Sequence, residues 1–318
     1  MAGNTVVLKT ADETVKLWAS SLFKEAGKMF FFKNWVSEKE NTIIQMKNDL
    51  TKEAGDQITI TLVMDLSDAG QSSQTYTTLE GNEEPLAMYS LKVEVTEYSH
   101  AIRSDGKLTM RRTAYDMKKT MKGGLAKWLK NKWEDLLVTK LSTSPTSGRQ
   151  INCTSGLPSS GVVMSTALIS QAKRKAQLSS PKVAPLIVDG QEWYFLLIHP
   201  YQSKALSVED AWIKAQREIG PRDKTNPIFS GMKGYWDGVI VQEYDRIILS
   251  SPNEARALLL GQQAAVIANA QQPMWYEKDF DYNRYPGIAT DFISGIYKTV
   301  FNSQDFGVVT LDTKYVAD

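Results

Sequence analysis

Few residues in this sequence have the type and spacing to do chemistry. His199-Pro200-Tyr201 follows an apolar run, a place where a catalytic base can sit, but no partner base or nucleophile is marked nearby. A structural histidine is the reading favoured. Asp279-x-Asp281-x-Asn283 imitates the opening of a calcium loop. Arg284 stands where that loop needs glycine, and Thr290 where it needs the bidentate glutamate, which disfavours a metal. Cys153, the single cysteine, has nothing beside it in sequence to lower its pKa. There is no phosphate-cradling glycine motif, no GxSxG and no CxxC. No catalytic, cofactor-binding or metal-binding residue is therefore expected, and the chain does not read as an enzyme.

Cations are more suggestive. Arg111, Arg112, Lys118, Lys119, Lys122, Lys127, Lys130 and Lys132 crowd one stretch, against only Asp116, Glu134 and Asp135. They could meet phosphate, although a solvated or subunit-facing helix surface is the reading favoured. The element that carries them runs from Leu108 to Leu141. Met110, Ala114, Met117, Met121, Leu125, Trp128, Leu129, Trp133, Leu136, Leu137 and Leu141 recur at steps of three and four. They predict a helix of about 30 residues, near 45 Å long, with one apolar stripe. So long a stripe needs partners from elsewhere in the chain, which makes the helix a spine. A coiled-coil seam fits less well, because lysines crowd the stripe. Gly123-Gly124 in its middle marks a kink or the close approach of another backbone.

Thr10 to Glu13 has a capping-box pattern, followed by Val15, Trp18, Leu22, Ala26 and Met29 at helical spacing. Phe30-Phe31-Phe32 and Trp35 then form an aromatic patch that is packed on the body or docked on a partner. Ile58, Ile60 and Leu62, and later Leu91, Val93 and Val95, alternate with polar residues as two half-buried strands. The polar stretch between them, Ser67 to Pro85, exceeds ordinary hairpin loops and reads as an extended loop that reaches somewhere. After a Ser/Thr/Gly/Pro-rich crossing at 142–160 come a helix over Ser165–Leu178, strands at 183–188 and 193–198, and a helix opened at Ser207. A strand at Val239–Val241 follows. Ser251-Pro252-Asn253-Glu254 then caps a buried helix through ARALLLGQQAAVIANA. Strands around 292–301 and 308–311 close the chain.

At 318 residues the chain could hold one large domain or two ordinary ones, with 42% hydrophobic residues for a core. No apolar run approaches a membrane span, and one cysteine excludes an internal disulfide framework. Net charge is +1, so the chain as a whole is not built to coat nucleic acid.

The run Leu50 to Ile58, the segment Leu79 to Glu84, His199-Pro200-Tyr201, Asn226 to Gly231, Ala255 to Ala264 and Phe301 to Val309 together resemble one family in the right order along nearly the whole chain. It is the major capsid protein family typified by N-four-type podophages. The resemblance implies an α+β fold of the Hong Kong-97 type. Its parts would be an N-terminal arm at 1–50, an E-loop hairpin at 51–102 and a P-domain with its long spine helix at 103–145. An A-domain at 146–272 and returning P-domain strands at 273–318 would complete it. It implies a coat protein that self-assembles as hexamers and pentamers of an icosahedral virion shell, built in the host bacterial cytoplasm around double-stranded DNA bound without sequence specificity. Portal and decoration proteins are further implied partners, and no membrane is. With only about 50 residues before the E-loop, scaffolding is expected from a separate protein. The subunit interface is expected to use Trp18, Phe30, Phe31, Thr75, Tyr76, Leu79, Glu83, Glu84, Arg111, Arg112 and Lys119. An encapsulin-like compartment shell is the alternative within the fold. An enzyme or a nucleic-acid-binding module is the alternative outside it.

Overall fold

The computed structural model describes residues 31–51, 55–64, 66, 80, 83–106, 117–153, 162–218, 232–251 and 253–315. A 3-10 turn at Phe31–Trp35 leads into β1 (Val36–Ser37) and β2 (Ile44–Lys47), then the hairpin β3 (Gln57–Val63) and β4 (Met88–Glu94), and β5 (Thr96–Arg103). The long helix α1 (Met117–Ser142) follows, then β6 (Gln150–Asn152), α2 (Thr166–Leu178), β7 (Leu186–Val188) and β8 (Gln191–Ile198). Next come α3 (Pro200–Val208), α4 (Asp210–Glu218), β9 (Gly234–Trp236), β10 (Val239–Glu243), β11 (Leu249–Ser251) and β12 (Glu254–Leu260). The chain ends with β13 (Ala265–Phe280), β14 (Tyr285–Lys298), the short β15 (Val300–Phe301) and β16 (Gln304–Asp305), and β17 (Val308–Lys314).

These strands make two main sheets. The first has the order β1-β2-β13-β14-β5, and the second β6-β17-β12-β8-β10-β9, with β7 beside β8 and β11 beside β12. The hairpin β3–β4 forms a separate two-stranded ribbon. The expected alternation is present in it: Ile58, Ile60 and Leu91 turn toward Val266 and Ala268 of the body.

The apolar stripe of α1 is buried in three successive places. Met121, Leu125 and Ala126 pack on Trp275 and Ile288 of the β13–β14 hairpin. One turn further, Leu129 meets Phe292. Leu137, Val138 and Leu141 enter a core shared by both sheets, with Phe32, Trp35 and Ile43 from the N-terminal side, Ile267 and Ile296 from the first sheet, and Phe195 and Leu258 from the second. The opposite face of the second sheet is covered by Ile169 and Ala172 of α2, which pack among Leu196, Ala257 and Leu259. The first expected residues of the spine, 108–116, lie outside the described residues.

Where the sequence predicts a capped helix from Ser251 through ARALLLGQQAAVIANA, the chain instead forms β12 and the start of β13. Leu258 and Leu260 point into one core while Ala257 and Leu259 point into the other. A strand buried on both faces reads as an unbroken apolar run, which periodicity cannot tell from a buried helix. The helix expected to open at Ser207 starts at Asp210 as α4, and Ser207 and Val208 instead end the preceding helix α3, which Pro200 opens. The expected border at 272/273 falls inside β13, and β17, expected among the returning strands, pairs with β12 and β6 in the second sheet. Gly123-Gly124 lies within an unbroken α-helix. Among the described residues no other backbone approaches it: a Cβ on Gly123 would have nothing within 4 Å, and one on Gly124 would sit 3.6 Å from the Ile102 side chain.

One glycine does admit a close approach. Both protruding limbs, the β3–β4 ribbon and the β13–β14 hairpin with α1, root beside Gly295, where a Cβ would stand 2.2 Å from the Glu94 carbonyl oxygen. That neighbour is backbone and cannot swing aside. Gly295→Ala should therefore destabilise the unassembled subunit by about 2–3 kcal/mol, whereas Gly123→Ala should stabilise it by about 1 kcal/mol through helix propensity. Denaturant unfolding of both variants beside wild type checks the pair of signs.

Candidate functional site

The chemically suggestive residues turn out to hold the fold. His199 is the N-cap of α3: its Nδ1 accepts from the Tyr201 amide at 3.3 Å, and the Gln202 side chain accepts from the His199 amide at 3.2 Å. Gln202 is buried and ties the helix to the second sheet, donating to the Ala255 carbonyl at 2.9 Å and to Thr313 Oγ1 at 2.8 Å. Burial holds the His199 imidazole below its usual pKa, with Asp245 and Glu243 partly offsetting it. Burial, and then the nearby Asp312, push the Cys153 thiol up, the opposite of what a nucleophile needs. Asp281 and Asn283 belong to the β13–β14 turn, with left-handed φ of 50° and 67°, and Asp281 pairs with Arg284 at 3.4 Å.

Of the residues expected at a subunit interface, Trp18, Phe30, Thr75, Tyr76, Leu79, Arg111 and Arg112 lie outside the described residues. Lys119 is exposed on α1, and Glu83 and Glu84 are exposed near the free end of the β3–β4 ribbon. Phe31 is packed on its own chain. Its ring lies 4.6 Å from Tyr244 and edge-on to Phe32 at 4.9 Å and Trp35 at 5.8 Å. Of the two placements open to the aromatic patch, residues 31–35 take the one on the body.

What fixes that segment is a residue the sequence reading placed on the polar face of the spine. Glu134 is 2% exposed. Its carboxylate accepts the Phe31 amide at 2.8 Å and the Tyr244 hydroxyl at 3.2 Å, with Lys130 at 3.8 Å and Arg246 at 3.7 Å as counter-charges. Arg246 in turn donates to Asn131 Oδ1 at 2.7 Å. Burial first, and the adjoining Glu134 second, hold the Tyr244 phenol far above its ordinary pKa, so it stays a donor. One carboxylate thus joins the N-terminal segment, α1 and the loop after β10. The signal lay in the spacing: Glu134 stands three, four and seven residues before Leu137, Val138 and Leu141, on the buried stripe.

A second anchor holds the end of α1. Asp312 is buried on β17 and takes a two-pronged contact from Arg256, at 2.7 and 2.8 Å, and a third bond from Gln150 at 2.7 Å. Arg256 also donates to the Ser142 carbonyl at 2.5 Å. Lys298 performs the same service for the next two residues, bonding the Thr143 and Ser144 carbonyls at 3.0 and 2.9 Å while it pairs with buried Asp305 at 2.8 Å. Among the described residues, the buried carboxylates Glu134, Asp305 and Asp312 are thus spent on internal ties.

This geometry agrees with the relatives of the sequence. The phage capsid protein family matches residues 7–152 and 145–317. The major capsid protein of Pseudomonas phage KPP25 is 23% identical, covering 97% of this chain and 96% of that one. Among solved structures, the capsid of Ralstonia phage GP4 superposes with a TM-score of 0.78 at 27% identity, over 91% of this chain and 92% of that one. The cyanophage Pam1 capsid asymmetric unit gives 0.75 at 23% identity, over 90% and 92%. The chain belongs to the phage capsid protein family, and its fold is of the Hong Kong-97 type. Its role is that of a major capsid protein of a tailed bacteriophage, a structural component of the virion shell, which decides for the phage reading over the cellular compartment.

Two outcomes follow from the ties. Glu134→Ala leaves the Tyr244 hydroxyl and the Phe31 amide without this acceptor, removes one counter-charge of Arg246, and should cost on the order of 3 kcal/mol in denaturant unfolding. His199 contributes in the other direction of pH. Its folded pKa is depressed, so the neutral cap supports the fold above about pH 6.5, and that support is lost as pH falls below it. His199→Asn keeps a capping acceptor that does not titrate, and the fall in melting temperature between about pH 7 and pH 5 should be smaller in that variant.

Proposed function

We propose that copies of this chain close into hexamers and pentamers of an icosahedral shell, with residues 1–50 as an arm, 51–102 as an E-loop, α1 as the spine, and the second sheet as the core of an A-domain. The observation that carries this is the β3–β4 ribbon. Its free end exposes Val63, Leu66, Leu86 and Met88, with Leu66 59% and Met88 61% exposed. Two strands alone are marginal in water, and apolar side chains at their open end add nothing until something covers them. A limb of this kind is understandable in a subunit whose stability is completed by its neighbours, since obligate contacts are the apolar ones. A solvated loop of no consequence would not concentrate apolar residues there.

Double-stranded DNA would be held inside by confinement and weak charge contacts, with no sequence readout. Net charge +1 suits a shell that must also release its contents. Scaffolding, portal and decoration proteins would be the other partners, and assembly would take place in the host bacterial cytoplasm.

The experiment is a deletion. Replacing residues 64–87 by a short turn removes Leu66 and Leu86 and changes loop-closure entropy only slightly, so the subunit should melt within about 1 kcal/mol of wild type. Shells seen by electron microscopy should disappear, because the intersubunit contacts go with the limb. Intact shells would contradict the role of the ribbon, and an unfolded subunit would show that the segment packs within its own chain. Purified subunits should bind DNA weakly and with steep salt dependence, and nanomolar affinity for one sequence at physiological salt would contradict the proposed confinement.

A further inference from the structure

Among the described residues, the second sheet ends on strands of three residues each: β6 and β9 at its two sides, and β7 beside the start of β8. An edge strand offers backbone N–H and C=O groups to any other strand that comes near. On all three strands a side chain has taken that place. The backbone groups of Ile187 on β7 face away from β8, and the Asn41 amide meets both. It donates to the carbonyl at 2.7 Å and accepts the N–H at 3.1 Å. On β9 the strand register points the backbone groups of Tyr235 away from β10, and Gln216 of α4 donates to that carbonyl at 3.1 Å. On β6, Lys175 of α2 donates to the Gln150 carbonyl at 2.7 Å. These covers are themselves held in place. Asn41 Oδ1 also accepts from Gln262 at 2.9 Å, and the Thr42 carbonyl accepts the Gln263 N–H at 2.7 Å. Gln216 is pressed onto β9 because Gly234 leaves it room: a Cβ there would stand 2.5 Å from its Oε1. An asparagine or glutamine amide carries the donor and acceptor of a peptide group, so it completes an edge without extending it.

We propose that Asn41, Gln216 and Lys175 keep copies of this chain from joining by strand addition, and so decide between a closed shell and an open polymer. The partner they exclude is an extended strand of a second copy. The strands behind these edges are apolar throughout, with Phe195–Ile198, Val239–Val241 and Ala257–Leu260 all fully buried. That composition stacks readily once an edge is free. A shell gathers many copies at close quarters, and three different open edges on each copy would chain them in directions that no ring closes. The inference rests on the shell reading above and names the wrong contact that such a subunit has to avoid.

The test compares full-length wild type, Asn41→Ala, and Asn41→Ala combined with Ile187→Pro. The first change bares the edge of β7. The second removes the bared N–H, and proline is tolerated where the N–H of an edge strand faces outward. Asn41→Ala should melt within about 5 °C of wild type, lose shells in electron micrographs and yield pelletable polymers that bind thioflavin T. The double variant should lose the polymers and regain the shells. Gln216→Ala bares β9 in the same way, should give the same polymers, and decides the matter if Asn41→Ala does not fold. Shells without polymers from the bared variants would overturn the proposal. So would lost shells that Ile187→Pro does not restore, because Asn41 would then act only by holding the N-terminal segment. A wild-type chain that forms no shell would overturn the shell reading alone, since polymers from Asn41→Ala and their loss in the double variant would still show the closed edge.

Discussion

The structure depends on one helix being buried by two sheets at once. The N-terminal half of α1 lies on the β13–β14 hairpin through Met121, Leu125 and Leu129, and its C-terminal half enters the shared core through Leu137, Val138 and Leu141. A helix of 26 residues, about 39 Å long, would be marginal in isolation and takes its stability from that stripe. The consequence is mechanical. The far part of the hairpin can extend beyond the shared core only because a rigid helix runs beneath it, and Glu134, Arg256 and Lys298 lock the end of that helix to the body.

This division of labour explains why the chain has so little that resembles a reactive site. Among the described residues, the buried carboxylates Glu134, Asp305 and Asp312 are each met by a cation of the same chain, with a backbone amide added at Glu134 and Asp305 and the Gln150 side chain at Asp312. Such ties, costly to break, fix one arrangement of elements more than they add net stability. Exposed apolar side chains gather in two places, the open end of the β3–β4 ribbon at Val63, Leu66, Leu86 and Met88, and β13 at Met274, Tyr276 and Phe280. A subunit that must meet copies of itself in a fixed geometry needs shape of this kind.

Much of this was legible in the sequence. The stripe of α1 announced a long helix that needed partners, and the alternation at Ile58–Leu62 and Leu91–Val95 announced the ribbon. Ser165–Leu178 and Asp237-Gly238 marked a helix and a turn that the structure has, the latter with φ of 48° and 73°. The failures have physical causes. At Glu254–Leu260 both faces of a strand are buried, which erases the period of two, and a Ser-Pro-Asn-Glu sequence supplied a plausible but idle helix cap. Glu134 was assigned to solvent by its charge although its spacing placed it among leucines. Gly123-Gly124 suggested a kink or a close approach, whereas among the described residues the helix runs unbroken there with no backbone against it.

The account claims that the limbs of the subunit are completed by other copies, and amide hydrogen exchange reads that claim most directly. In the unassembled chain, amides of residues 57–63 and 88–94 should exchange rapidly, as a two-stranded ribbon with an open apolar end must. Amides of α1 at 125–141 should be protected in the same sample, since their cover is intramolecular. In assembled shells the ribbon should become protected to the same degree as the helix, with the added protection concentrated at its free end. Equal exchange of the ribbon in free subunits and shells, whether slow or fast in both, would contradict the account.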